Sequence, residues 1–72
     1  MNYFEAYRDL WNLHKKYFDV LNTDDYWQSV VQDARQIEQT YKNNKFVLDV
    51  LMAIIAELEG RSKEVEQDAA TQ

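Results

Sequence analysis

Thirteen consecutive residues, Phe46 to Leu58, constrain the fold of this chain more than any other stretch. Eleven of them are apolar, and only Asp49 and Glu57 carry charge. Wound as a helix at about 100° per residue, the large apolar side chains cover roughly 240° of the circumference. Asp49, Ala53, Ala56 and Gly60 fill most of the remaining arc, with Glu57 at its border. A surface helix needs an apolar stripe little wider than about 100°, so this segment demands partners on two or three sides. A membrane span takes about 20 apolar residues, and the run is too short and too interrupted for that. It is long for a strand, and its Leu, Met, Ala and Glu favour helix. The expected helix covers about residues 45–60, with Gly60 as its candidate stop; the i,i+4 pair Glu59 and Lys63 could carry it a turn or two further.

Two further helices are expected to supply the partners. Over about residues 2–21, Tyr3, Phe4, Ala6, Tyr7, Leu10, Trp11, Leu13, His14, Tyr17, Phe18, Val20 and Leu21 fall within an arc of roughly 200°. Glu5, Arg8, Asp9, Asn12, Lys15, Lys16 and Asp19 take the other side. Asn22-Thr23-Asp24-Asp25 reads as a break and restart, because Asn22 or Thr23 can accept free N–H groups and the two aspartates suit a first turn. The next helix, about residues 23–42, shows an ordinary one-sided stripe of Tyr26, Trp27, Val30, Val31, Ala34, Ile37 and Tyr41. Asn43-Asn44 then marks a turn, since Asn tolerates the left-handed conformation and also caps helices. Residues 62–72 are mostly polar and are expected to fray or stay disordered, leaving residues 1–61 as the helical domain. The fold expected is an all-α three-helix bundle running up, down and up.

Composition removes several classes of function. Seventy-two residues make one domain at most. A chain this size buries only about 60% of its unfolded surface, so a monomer has a thin margin of stability. The absence of cysteine excludes disulfides, thiolate metal sites and cysteine nucleophiles, and suits a reducing, cytoplasmic location. The first residues lack the basic and apolar pattern of a signal peptide. A net charge of −5 argues against non-specific binding to nucleic acid or anionic lipid.

His14 departs most from its surroundings, because it sits near the middle of the first helix's apolar arc. A general base, a proton switch or a metal ligand is the functional reading, and a buried polar residue satisfied by a tyrosine or a carbonyl is the structural one. With no second histidine and no cysteine, no metal site is expected. Ser29 and Ser62 have no nucleophile elbow around them, and one glycine cannot make a phosphate-binding loop, so no catalytic residues and no cofactor are expected. A helix-turn-helix reading fails because Asp49, Ala53, Ala56 and Glu57 on the free face of the last helix would repel phosphate. The aromatic stripe Tyr3, Tyr7, Trp11, Phe18 has the spacing of a core face.

Arcs of roughly 200°, 140° and 240° carry more apolar surface than one small bundle buries. The function expected is therefore a non-enzymatic protein-interaction or assembly module acting as a homodimer. Phe4, Trp11, Leu48, Met52 and Ile55 are the candidate interface residues. The alternative is a small acidic inhibitor that occupies a basic, for example nucleic-acid-binding, site on another protein through Asp9, Asp19, Asp24, Asp25 and Asp33. A third reading is a regulator with a small-ligand cavity around His14.

Overall fold

The computed structural model describes the backbone of residues 1–70 and the side chains of residues 1–64. It is an all-α three-helix bundle: α1 Tyr3–Lys16, α2 Asp24–Thr40 and α3 Lys45–Ala70. Among the described residues there is no strand, and no helix is long and apolar enough to cross a membrane. The core is a single cluster of Ala6, Leu10, Leu13 and Tyr17 with Tyr26, Val30 and Ala34 from α2 and Val47, Leu51, Ile54 and Leu58 from α3. Side chains three, four and seven positions apart supply it from every helix, as an amphipathic bundle requires. The order is up, down, up. The Tyr41 hydroxyl donates to Asp9 and the Tyr17 hydroxyl to Asp33, so α2 runs against α1. Tyr3 meets Phe46 and His14 meets Glu57, so α3 runs with α1.

The helix starts follow local chemistry. Asn2 Oδ1 accepts the Glu5 N–H at 3.2 Å, and Thr23 Oγ1 accepts the Tyr26 N–H at 3.2 Å. Asn44 Oδ1 accepts from both Phe46 N and Val47 N, at 2.9 and 3.3 Å. Between α2 and α3 Asn43 takes the left-handed conformation, with φ of 58°, and Lys42 before it takes it too, with φ of 53°. The Asn43 N–H reaches back to the Glu38 carbonyl at 2.8 Å, which closes the end of α2.

Two boundaries differ from the sequence expectation. The first helix stops at Lys16 and not near Leu21. The Tyr17 carbonyl, which a continuing helix would offer to the N–H of residue 21, accepts instead from the Tyr26 hydroxyl at 2.6 Å. The Tyr17 ring is buried edge-on against Tyr26 at 5.4 Å, which holds that geometry. Residues 18–23 become the connection, and Ser62 Oγ donates to Asn22 Oδ1 across it. The second difference is the reach of α3: Gly60, the candidate stop, does not end it, and the helix runs on to Ala70, further than the turn or two that the Glu59–Lys63 spacing allows for. Gly60 has no positive φ, so it does not serve as a left-handed cap. Arg61 bonds Glu57 one turn back at 3.4 Å and lies over the Phe18 ring at 3.8 Å, which ties the next turn to the bundle. The predicted domain end at residue 61 therefore falls inside a helix. How the side chains of the predicted tail sit beyond residue 64 lies outside the described residues.

A Cβ added at Gly60 meets nothing within 4 Å. Gly60→Ala is therefore expected to raise stability by about 0.5–1 kcal/mol, the entropic cost of glycine inside a helix. An upward shift of the urea midpoint at unchanged slope checks it; a downward shift would mean the Gly60 face is covered.

Candidate interaction surface

The apolar arc of α1 divides into two strips. Ala6, Leu10, Leu13 and Tyr17 face the core. Tyr3, Phe4, Tyr7 and Trp11 lie on the flank beside α3, and Phe18 follows just past the helix end. This second strip joins the stripe Tyr3, Tyr7, Trp11 and Phe18, whose spacing is that of a core face, to the candidate interface residue Phe4, and its five side chains are 48–77% exposed, so the stripe is not core. Periodicity marks both strips as apolar but does not say which one the other helices cover. The small Ala6 at the centre of the covered strip, which allows close helix approach, is the signal that distinguishes them in retrospect.

The strip continues across the α1–α3 seam. Tyr3 and Tyr7 both stand edge-on to Phe46, with ring centroids 5.7 and 5.5 Å apart. Trp11 lies edge-on to the His14 ring at 6.4 Å. His14 Nε2 is 3.1 Å from Glu57 Oε2, Arg61 pairs with the other Glu57 oxygen, and Arg61 lies over Phe18. The seam is thus a file of exposed aromatics with one hydrogen-bonded polar group, His14–Glu57–Arg61, set into it. His14 is partly buried, with its side chain 27% exposed, and its partner is Glu57 in place of the expected tyrosine hydroxyl or backbone carbonyl, because His14 lies on the flank of α1 beside α3. Its partner is a carboxylate from the border of the α3 polar arc, which α3 turns towards α1.

The five candidate interface residues do not share one surface. Phe4, Trp11 and Met52 are exposed, while Leu48 and Ile55 are half-buried. Phe46 and Val50 sit two positions from Leu48 and Met52, which places these pairs about 160° apart around a helix. Since Phe46 and Glu57 mark the α1 side of α3, Leu48, Met52 and Ile55 belong to the α2 side. Ile55 packs against the core there, and Met52 stands clear of it at 70% exposure.

The aspartates are also divided. Asp33 Oδ2 accepts from Lys16 Nζ at 2.8 Å and from the Tyr17 hydroxyl at 2.5 Å, and Asp9 Oδ2 accepts from the Tyr41 hydroxyl at 2.5 Å. These two hold α1 to α2. Asp19, Asp24 and Asp25 stay exposed around the first connection. An open groove of about 350 Å³ runs between α1 and α2, past Asp9, Lys16, Asp33 and Thr40, on the flank of α1 away from His14. No protein-family model matches the chain, and neither a curated protein nor a solved structure matches it.

Proposed function

We propose that this chain is a non-enzymatic protein-interaction and assembly module, that its working surface is the aromatic flank of α1, and that it acts as a homodimer. The observation that supports this reading is the exposure of Tyr3, Phe4, Tyr7, Trp11 and Phe18 along one face. At roughly 200 Å² per aromatic side chain, these five leave about 600 Å² open to water. That is the top of the range for the largest apolar patch on a soluble monomer, about 300–600 Å². Adding the Phe46 edge and the polar rim approaches the roughly 800 Å² that each partner contributes to a standard interface. Trp and Tyr are the side chains that dominate binding energy when buried between proteins. Covering this face would also reinforce a core drawn from only 72 residues.

Sedimentation equilibrium at micromolar concentration tests the reading. The expected result is a dimer that Trp11→Glu weakens by about 100-fold or more, since each dimer contains two copies of the change. Trp11 is exposed in the single chain, so the variant should keep its helical circular dichroism. A folded wild-type chain that remains monomeric to about 100 µM would sink the homodimer.

A further inference from the structure

Resting on that homodimer reading, we infer that the two copies associate in parallel about a two-fold axis running along the helices, so that α1 of each copy lies on α3 of the other and Arg8 pairs with Asp49 across the interface. The register inside one chain leads to this. His14 is level with Glu57 and Phe18 with Arg61, an offset of 43 residues in both cases. A two-fold axis parallel to the helices leaves every residue at its own height. Phe4 of one copy then stands level with Phe46 and residue 47 of the other, and Trp11 level with Ala53 and residue 54.

The two facing files are complementary in size. Phe4 and Trp11 are seven positions apart, so they point the same way from α1; Phe46 and Ala53 are seven apart and do the same on α3. The large exposed ring of Trp11 meets the exposed Ala53, a small side chain on that line of α3. Tyr7, His14 and Glu57 turn inward to the middle of the resulting four-helix contact, where His14 Nε2 is already paired with Glu57 Oε2.

Charge decides between the two possible two-fold arrangements. On α1 the outer edge of the aromatic strip carries Arg8 and Lys15, both exposed. An antiparallel contact centred on Trp11 would place Arg8 of one copy beside Lys15 of the other, cation on cation. The parallel contact instead places Arg8 level with residue 51, beside the outward-facing Asp49. Among the described residues, Asp49 bonds only the largely exposed Lys45 within its own chain, and Arg8 only its neighbour Asp9. Such exposed pairs are weak and exchange readily, and like charges brought together at an interface are strongly disfavoured.

A charge-swap pair tests this directly. Arg8→Glu and Asp49→Lys are surface changes, and circular dichroism confirms that each variant folds. Each alone is expected to self-associate about tenfold or more weakly than wild type at low salt, because every dimer then contains two like-charge contacts. Mixed together, the two variants bring the introduced carboxylate against the introduced ammonium at one contact and retain Arg8 against Asp49 at the other. The mixture should therefore form a heterodimer with near-wild-type affinity, read by sedimentation with one variant dye-labelled. If the wild type dimerises and Trp11→Glu abolishes it, but the swapped variants self-associate normally or gain nothing on mixing, the parallel arrangement is overturned and the homodimer reading stands. A monomeric wild type overturns both and assigns the aromatic face to a different protein.

Discussion

Leu51→Ala is expected to lower the unfolding free energy by about 3–4 kcal/mol, while Met52→Ala next to it changes it by less than about 0.5 kcal/mol. Leu51 is 1% exposed at the centre of α3, between Val47, Ile54 and Leu58 of its own helix and the apolar faces of α1 and α2. Truncation removes the transfer free energy of the lost carbons and leaves a cavity that a bundle with three sides already packed cannot close. A domain of this length holds about 4–10 kcal/mol of stability at the usual value per residue, so the loss is a third or more of the total. Met52 reaches past the edge of the core into solvent, and its removal leaves no cavity. Urea unfolding of the two variants at equal protein concentration measures the contrast. A large loss at Met52 would mean that this side of α3 is covered by something absent from the single chain. The same pair bears on function. Met52 lies on the α2 side, so Met52→Glu is expected to leave self-association through α1 unchanged, whereas Trp11→Glu abolishes it.

Residues that act through their immediate neighbours were legible in the sequence. Thr23 and Asn44 cap the helices that follow them, and Asp24 and Asp25 occupy a first turn. The 3.6-residue period located all three helices, while within the broad apolar sweep of the last one it did not single out the Val47-Leu51-Ile54-Leu58 line that forms the core. What failed required a partner distant in sequence. The end of α1 depends on the Tyr26 hydroxyl, nine residues on, taking the Tyr17 carbonyl. Nothing near Leu21 announces that, and the apolar Phe18, Val20 and Leu21 continue the helical pattern past the true end. The Glu59–Lys63 spacing allows α3 a turn or two past Gly60, but the Arg61–Phe18 contact that ties that turn to the bundle comes from another element. The surplus apolar width of the first helix was visible, but its division into a covered strip and an open one was not. That division depends on where α2 and α3 dock. For the same reason Leu48 and Met52 were grouped with Phe4 and Trp11, although α3 separates them. Asp33 was read only as one of several surface acids, because its two donors lie sixteen and seventeen residues away.

Asp33 also sets the acid limb of stability. The hydrogen bond from the Lys16 ammonium, and after it the bond from the Tyr17 hydroxyl, hold its carboxyl below the ordinary carboxylate range, against the opposing effect of partial burial. The folded state therefore favours the ionised form. The stability this confers is fully present above the unfolded value, about pH 3.9, and is lost as pH falls through the lower folded value. The same contacts act at the other end of the scale. Burial, and then the bond to Asp33, raise the Tyr17 phenol, and the bond to Asp33 raises Lys16. The bond to Asp9 pushes Tyr41 up to about 12. Groups whose folded values are raised contribute stability below their unfolded values, about pH 10 here, and lose it as pH climbs through the folded ones. These groups should thus make stability fall on the acid side below about pH 4 and on the alkaline side above about pH 10. Asp33→Ala leaves the Tyr17 hydroxyl without its acceptor and is expected to cost about 2 kcal/mol near neutrality. The difference between variant and wild type should shrink as the solution is acidified through about pH 4 and below, where the wild-type carboxyl also loses its charge. Thermal unfolding of both chains across that range measures it. A difference that stays constant down to about pH 2 would show that Asp33 matters for packing alone and that its charge does not hold α1 to α2.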